Sequence, residues 1–238
     1  MLEINAIDTY RGPAQILQRV SLAVRDRECV CLVGRNGAGK TTTIDSVMGL
    51  LPIRSGKINF QGETISRLPA YQRARRGIGY APEDAGIFPD LTVAENIEIC
   101  RFLAESSGRV KGTSDAETKE RIFAVFPEVK DFMQRAGLHL SGGQKKMVTI
   151  ARAMALAPTI LLLDEPFEGL APFVVKRFIE AVKKIKALGI STLIAASNLA
   201  NATRVADRLY AIDRGEIIYE GEPQRAFENE ELMKTIRG

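Results

Sequence analysis

Three continuous apolar runs punctuate this chain, at residues 28–33, 159–165 and 191–196. Such short unbroken runs predict strands buried on both faces, as in the parallel sheet of an α/β protein. Between them the period changes. Residues 42–50 and 145–155 carry their apolar positions at helical spacing, so strand and helix alternate. Nearer the N-terminus, residues 2–9, 16–24 and 57–60 are strand candidates and predict a small antiparallel sheet. From about Pro82 to Ala157 the pattern is mainly helical, and Thr92-x-x-Glu95 forms a capping box opening a helix through Asn96, Ile97, Ile99 and Phe102. Residues 106–114 are polar and glycine-bearing and read as a mobile loop. Alternation resumes from about Pro158, and a short helical appendix follows from Glu222. No segment repeats.

The first buried strand leads into candidate chemistry. Gly34, Arg35, Asn36, Gly37, Ala38, Gly39, Lys40 and Thr41 fit G-x-x-x-x-G-K-[ST], with the strand before and the helix after that the pattern requires. Glycines let the backbone wrap a polyphosphate so that successive N–H groups point inward, and the helix start adds the positive end of its dipole. Lys40 can reach the β- and γ-phosphates, and the Thr41 hydroxyl can ligate Mg²⁺. A glycine-rich turn that binds nothing is the bland alternative, and the agreement of motif and flanks argues against it.

Asp164 and Glu165 close the second apolar run. Acids at the end of such a strand face the crevice where open α/β sheets bind ligands. Asp164 is assigned to the Mg²⁺ side and Glu165 to polarising the attacking water as general base. Downstream of the helical region's start, Leu140 precedes Ser141, Gly142, Gly143 and Gln144, and an amphipathic helix follows. Ser141-x-x-Gln144 is itself a capping box. Two glycines are costly in a first helical turn, which makes sense if something must approach the backbone closely.

Phosphate loop, LSGGQ and the strand ending in Asp-Glu, in this order, resemble the ATP-binding subunits of ABC transporters over essentially the whole chain. The fold implied is α/β: a P-loop NTPase core of the ABC ATPase kind, with an antiparallel β subdomain and an inserted helical subdomain. One domain would span 1–238, with 1–81 and 158–238 as core and 82–157 as the helical part carrying LSGGQ. The implied ATP-binding set is Tyr10, stacking on adenine, with Gly34, Arg35, Asn36, Gly37, Ala38, Gly39, Lys40, Thr41 and Thr42. Mg²⁺ would fall to Thr41, Glu83 and Asp164, Glu83 standing in the loop that usually carries a glutamine. Ser141, Gly142, Gly143 and Gln144 would close over the nucleotide of an opposite subunit. A dimer with itself or with a second ATPase is therefore implied, docked on transmembrane permease subunits.

Departures from the family pattern narrow the reading. Pro82-Glu83, the segment Ile87-Phe88-Pro89-Asp90-Leu91-Thr92-Val93-Ala94-Glu95-Asn96, and Gly169-Leu170-Ala171-Pro172 resemble importers of branched-chain amino acids and urea, in particular the second ATPase subunit of the branched-chain type. The aspartate that often ends the loop at 167–172 is absent. A histidine usually follows the strand at 191–196; here Ser197 stands there, and His139, the only histidine, reads as a solvated surface group. Ser197 donates one hydrogen bond and carries no charge, and charge-assisted bonds are about twice as strong. The catalytic set Lys40, Glu165 and Ser197 thus predicts a slow or partner-dependent hydrolytic site. A non-transport ABC ATPase with a soluble partner, or a regulatory subunit with impaired hydrolysis, are the alternatives.

Composition changes this picture little. A net charge of +4 is mild, and the basic groups are scattered without aromatic interleaving, so nucleic acid is not the expected partner. Arg73-Ala74-Arg75-Arg76 reads as a solvated helix end. No apolar run is long enough to span a bilayer and the first residues lack a leader pattern. The expected place is cytoplasmic, on the inner face of the cell membrane through permease subunits, without direct membrane insertion. Cys29 and Cys31 lie two apart on a predicted strand and should pack on one face as small hydrophobes, and with Cys100 they form neither a metal spacing nor a disulfide framework.

Overall fold

The computed structural model describes residues 1–108 and 114–237. Its strands are β1 (Leu2–Arg11), β2 (Ala14–Val24), β3 (Cys29–Val33), β4 (Ile53–Phe60), β5 (Glu63–Thr64), β6 (Ile78–Ala81), β7 (Ile160–Asp164), β8 (Ser191–Ala196), β9 (Arg208–Asp213) and β10 (Glu216–Gly221). Its α-helices are α1 (Lys40–Met48), α2 (Ala70–Arg75), α3 (Val93–Ser106), α4 (Asp115–Val125), α5 (Gly142–Ala155), α6 (Pro172–Ala187), α7 (Leu199–Ala202) and α8 (Glu230–Arg237). Most of the expected mobile loop, 109–113, lies outside the described residues.

Two sheets form. The larger runs β10-β9-β3-β8-β7-β6, parallel throughout except for β10, which turns back antiparallel on β9. Every residue of β3, β7 and β8 is buried, which is why their sequences are continuous apolar runs. The register is flush at one end: Val33 pairs Ala196, Asp164 pairs Ala195, and Ala81 pairs Leu163. Residues 34, 82, 165 and 197 therefore leave the sheet side by side, and this edge carries the candidate site.

The smaller sheet, β2-β1-β4-β5, is antiparallel as expected. Its third strand begins at Ile53, earlier than the pattern indicated. Gly56 sits inside β4 at φ +83, where an added Cβ would come 2.4 Å from the Ala6 carbonyl oxygen. A close approach between two bulged strands, rather than a turn, requires glycine there.

Alternation on β3 divides the interior. Val30 and Leu32 face Leu2, Ile4, Ile44 and Ile58, between the sheets and α1. Cys29, Cys31 and Val33 face the opposite way, toward Val148, Ala151, Phe178 and Val182 of α5 and α6. The two cysteines thus share a face and are buried; all three cysteines are free thiols. The Thr92/Glu95 and Ser141/Gln144 capping boxes are both formed, and α4 adds a third, Ser114 with Glu117.

One surface expectation is overturned. Arg73 is 2% exposed, and its guanidinium donates to the carbonyls of Leu68, Ser46, Val47 and Ser66 at 2.8–2.9 Å. Ser46 and Val47 lie in the last turn of α1, where carbonyls lack helical partners. What reads as a solvated helix end instead seals the far end of the helix that starts at the glycine loop.

Candidate active site

The loop between β3 and α1 is shaped by its glycines. A Cβ on Gly34 would meet the Ile212 carbonyl oxygen at 2.3 Å, and Gly39 adopts φ +114, a conformation that L side chains rarely take. The helix start is left without a side-chain cap. Lys40, 5% exposed, turns its ammonium back under the loop and donates to the carbonyls of Gly34 at 2.8 Å and Arg35 at 3.0 Å. The loop is thus closed around a cation.

Asp164 ends β7 directly beneath it and is 2% exposed. Thr41 Oγ1 donates to its Oδ1 at 3.3 Å, while Oδ2 is buried with no hydrogen-bond partner. Burial first, then the nearby carboxylates of Glu165, Glu83 and Asp45, push the Asp164 carboxyl up to about 6 against the pull of the Thr41 hydroxyl. A buried carboxylate oxygen with no partner, beside a hydroxyl and a second acid, is the hard-oxygen donor set that suits Mg²⁺.

Glu165 follows at φ +44, an uncommon backbone for a residue with a side chain. Three groups hold its carboxylate. Ser197 Oγ donates to Oε1 at 2.5 Å, the Ser197 N–H donates to Oε2 at 2.9 Å, and the Lys40 ammonium lies 3.1 Å from Oε1. Three bonds hold its backbone: its N–H donates to Ala195 O at 3.0 Å, and its carbonyl accepts from Lys146 Nζ at 2.5 Å and from the Glu168 N–H at 3.3 Å. Ser197 Oγ also lies 3.0 Å from Asn36 Oδ1, which ties the end of β8 to the glycine loop.

A cleft of about 360 Å³ brings Asn36, Gly37, Gly39, Lys40, Thr41 and Thr42 together with Glu83 and Glu165. Gly34, Arg35, Ala38, Asp164 and Ser197 do not line it but are joined to residues that do, by the chain or by hydrogen bonds, and two further groups of expected site residues stand outside it. The cleft is flanked by Arg11 and Ile16 where Tyr10 was expected. Tyr10 donates its hydroxyl to Gln15 at 2.9 Å, and the Arg54 guanidinium covers its ring at 5.0 Å from the centroid. Ser141, Gly142, Gly143 and Gln144 do not line it either. Ser141 and Gly142 are exposed, and the space beside Gly142 is open. His139 is exposed as well, as its loop position suggested.

Sequence reasoning missed three contributors. Arg11 bridges to Asp45 of α1 at 2.7 Å, and Tyr80 donates to the same carboxylate at 3.4 Å. Burial, first, and the adjacent Asp45 and Asp164 charges keep the Tyr80 phenol protonated. Lys146, on α5, reaches Glu165. Tyr80 and Lys146 become neighbours of the site through the register of β6 with β7 and the packing of α5 on both strands, and Arg11 through the contact of β1 with α1.

A helix-opening glycine loop after a buried parallel strand, with strand-end acids beside its lysine, defines a phosphate-loop nucleoside triphosphatase. A family model described as ABC transporter matches residues 17–168, and the chain belongs to that family as an ATP-binding cassette, an ATPase coupled to transport. It is 37% identical to the lipopolysaccharide export system ATP-binding protein LptB of Haemophilus influenzae, over 98% of this chain and 95% of that protein. It is 34% identical to the high-affinity branched-chain amino acid transport ATP-binding protein BraG of Pseudomonas aeruginosa, over 92% of this chain and 91% of that one. Among solved structures, the ADP conformation of MJ1267, an ATP-binding cassette of an ABC transporter, superposes with a TM-score of 0.83 at 28% identity, covering 100% of this chain and 98% of that one.

Proposed function

We propose that this chain binds and hydrolyses Mg²⁺-ATP as one of two ATPase subunits that drive a membrane permease. The supporting observation is the convergence of Lys40, Thr41, Asp164, Glu165 and Ser197 at one sheet edge, beside the cleft that Lys40, Thr41 and Glu165 line. The backbone of Gly34 to Thr42 cradles the phosphates, and Lys40 exchanges its bond to Glu165 for the β- and γ-phosphates. Thr41, Asp164 and Glu83 would hold Mg²⁺, which supplies charge neutralisation at the phosphate oxygens. Glu165, released by Lys40 and still held by Ser197 at both oxygens, accepts the proton of the attacking water. Stacking of adenine on Tyr10 would use the ring face opposite the Arg54 guanidinium or displace that group.

Ser141, Gly142, Gly143 and Gln144 serve an opposite subunit in this reading. The exposure of Ser141 and Gly142, and the absence of all four from the lining of their own chain's cleft, support it. The dimer partner is a second copy or a second ATPase. Residues 82–157 act as a helical subdomain inserted into a core of 1–81 and 158–238. Among the described residues no helix is long and apolar enough to cross a membrane, so attachment to the inner membrane face runs through permease subunits.

For the cargo, the 82–96 and 169–172 segments and the likeness to BraG support import of branched-chain or related amino acids. The likeness to LptB favours a second reading, export of a lipopolysaccharide-like glycolipid. The test is ATP turnover by the purified chain, alone and with its permease, for wild type and Glu165→Gln. The variant should bind ATP normally and lose turnover by on the order of 100-fold or more. Equal turnover in the two, or none from wild type with its permease, would refute the proposal. Stimulation by an amino acid or by a glycolipid in proteoliposomes decides between the cargo readings.

A further inference from the structure

The helix that begins with Ser141 and Gly142 carries Lys146, Thr149 and Arg152 three residues apart, which puts them on one stripe of α5. Each of these three side chains donates to a backbone carbonyl in one of the two segments that carry Glu83 and Glu165. Lys146 Nζ donates to Glu165 O at 2.5 Å, Thr149 Oγ1 to Ala85 O, and Arg152 Nη1 to Gly86 O. Ala85 and Gly86 both have positive φ, at +66 and +48, two and three residues after Glu83. Glu165 is likewise left-handed, at φ +44. One helix face therefore clamps the two backbone bends from which the acids Glu83 and Glu165 enter the cleft.

Of the three, Lys146 bears on the residue that activates water. A glutamate at positive φ holds a strained backbone only where surrounding bonds over-determine it. Glu165 has its N–H bonded to Ala195 O at 3.0 Å, and on the carbonyl side its other partner is the weaker Glu168 N–H at 3.3 Å. The Lys146 ammonium is a charge-assisted donor to that carbonyl, and its pairing sets the plane of the peptide that follows the carboxylate-bearing carbon. Lys146 is half-buried and faces the carboxylates of Glu83, Glu168, Glu165 and Asp164. Burial draws its affinity for a proton down while these four charges oppose that loss.

We propose that Lys146 is a positioning residue for hydrolysis: it ties the LSGGQ-bearing helix to the backbone of Glu165 in the same chain, so that engagement of that helix by the opposite subunit sets the carboxylate of this one. The proposal rests on the assignment of Glu165 as the residue that activates water. It adds a link the motifs do not contain: Ser141 and Gly142 at the start of α5 are exposed and do not line the cleft of their own chain, while Lys146, one turn on, reaches the backbone of Glu165.

The experiment compares wild type, Lys146→Met, Lys146→Arg and Glu165→Gln in the assembled dimer with its permease. It reads kcat, KM, equilibrium ATP binding and thermal stability. Methionine keeps the apolar stem and removes the donor; arginine keeps a cation with several donors. The expected result is a fall in kcat of roughly 10-fold or more for Lys146→Met. ATP affinity should stay within about twofold and the Tm within about 2 °C, because neither the glycine loop nor the core is touched. Lys146→Arg should recover more than about half of the lost rate. Wild-type kcat in Lys146→Met would overturn the proposal. So would a loss that tracks a lower Tm or weaker ATP binding, or an equal loss in the arginine variant. If Glu165→Gln itself turns over normally, the failure belongs to the assignment of Glu165 and removes the basis for Lys146 with it.

Discussion

Replacing Arg73 by methionine removes a buried guanidinium whose partners are all backbone carbonyls, so the cost can be built up bond by bond. Four hydrogen bonds, to Leu68, Ser46, Val47 and Ser66, are lost at once. Each bond to a charged group is worth roughly 1.5–3 kcal/mol, and a fully summed figure would be about 6–12 kcal/mol. Three effects reduce it. Desolvating the guanidinium already costs the native state, as its depressed pKa of about 10 indicates. Ser66 and Leu68 are only half-buried and recover water. The methionine stem fills part of the space. A net loss of about 3–5 kcal/mol remains, because breaking a buried charged group's contacts leaves the last turn of α1 with unpaired carbonyls. That is a large share of a total of roughly 5–15 kcal/mol. Urea unfolding monitored by circular dichroism measures it directly, with Arg73→Lys as control. Lysine keeps the charge but cannot span four carbonyls, and should lose at least about half as much. A Arg73→Met protein within about 1 kcal/mol of wild type would refute the idea that this side chain anchors the phosphate-loop helix.

Asp164→Asn should abolish the Mg²⁺ dependence of turnover, with a fall on the order of 100-fold, while leaving metal-free thermal stability no lower than wild type, since a buried oxygen without a partner loses its charge; turnover across a Mg²⁺ titration and a metal-free melt check both halves. Glu128 pairs with Arg177 through two contacts, one of them at 3.0 Å, and this tie joins the helical region to α6. Burial raises the Glu128 carboxyl, but the Arg177 hydrogen bonds and charge more than offset that and hold it below its usual 4.5. A depressed acid stabilises fully above its unfolded pKa and loses that contribution as pH falls through the folded value. The stability gap between wild type and Glu128→Gln, measured by urea titration, should therefore be constant from pH 7 to about pH 5 and shrink below about pH 4.5. A gap unchanged down to pH 3 would show that the pair contributes nothing through ionisation.

The phosphate loop, the acids at the end of β7 and the Thr92/Glu95 and Ser141/Gln144 capping boxes are local devices, and local devices leave local marks. A strand that must be buried on both faces has to be apolar without interruption. A backbone that must wrap a phosphate needs glycine at fixed offsets, and a helix start needs a side chain that reaches its third residue. These follow from a few neighbouring residues, so the chain alone determined the order of strands and helices, the class of ligand and the identity of Lys40, Thr41, Asp164 and Glu165 as its candidates. Long-range pairing leaves no such mark. Arg73 looks solvated by composition and becomes an anchor only because α2 packs beneath the last turn of α1. Gly56 is a crossing point inside β4 only because β1 bulges against it. Arg11, and not Tyr10, borders the cleft because the β1–β2 hairpin sets which side chain turns inward. Lys146 meets Glu165 because α5 lies across the end of β7, a contact between positions 19 residues apart that no periodicity encodes. Covalent neighbours obey local geometry that recurs in every protein. Spatial neighbours are selected by how whole faces bury together, and only the folded chain makes that selection.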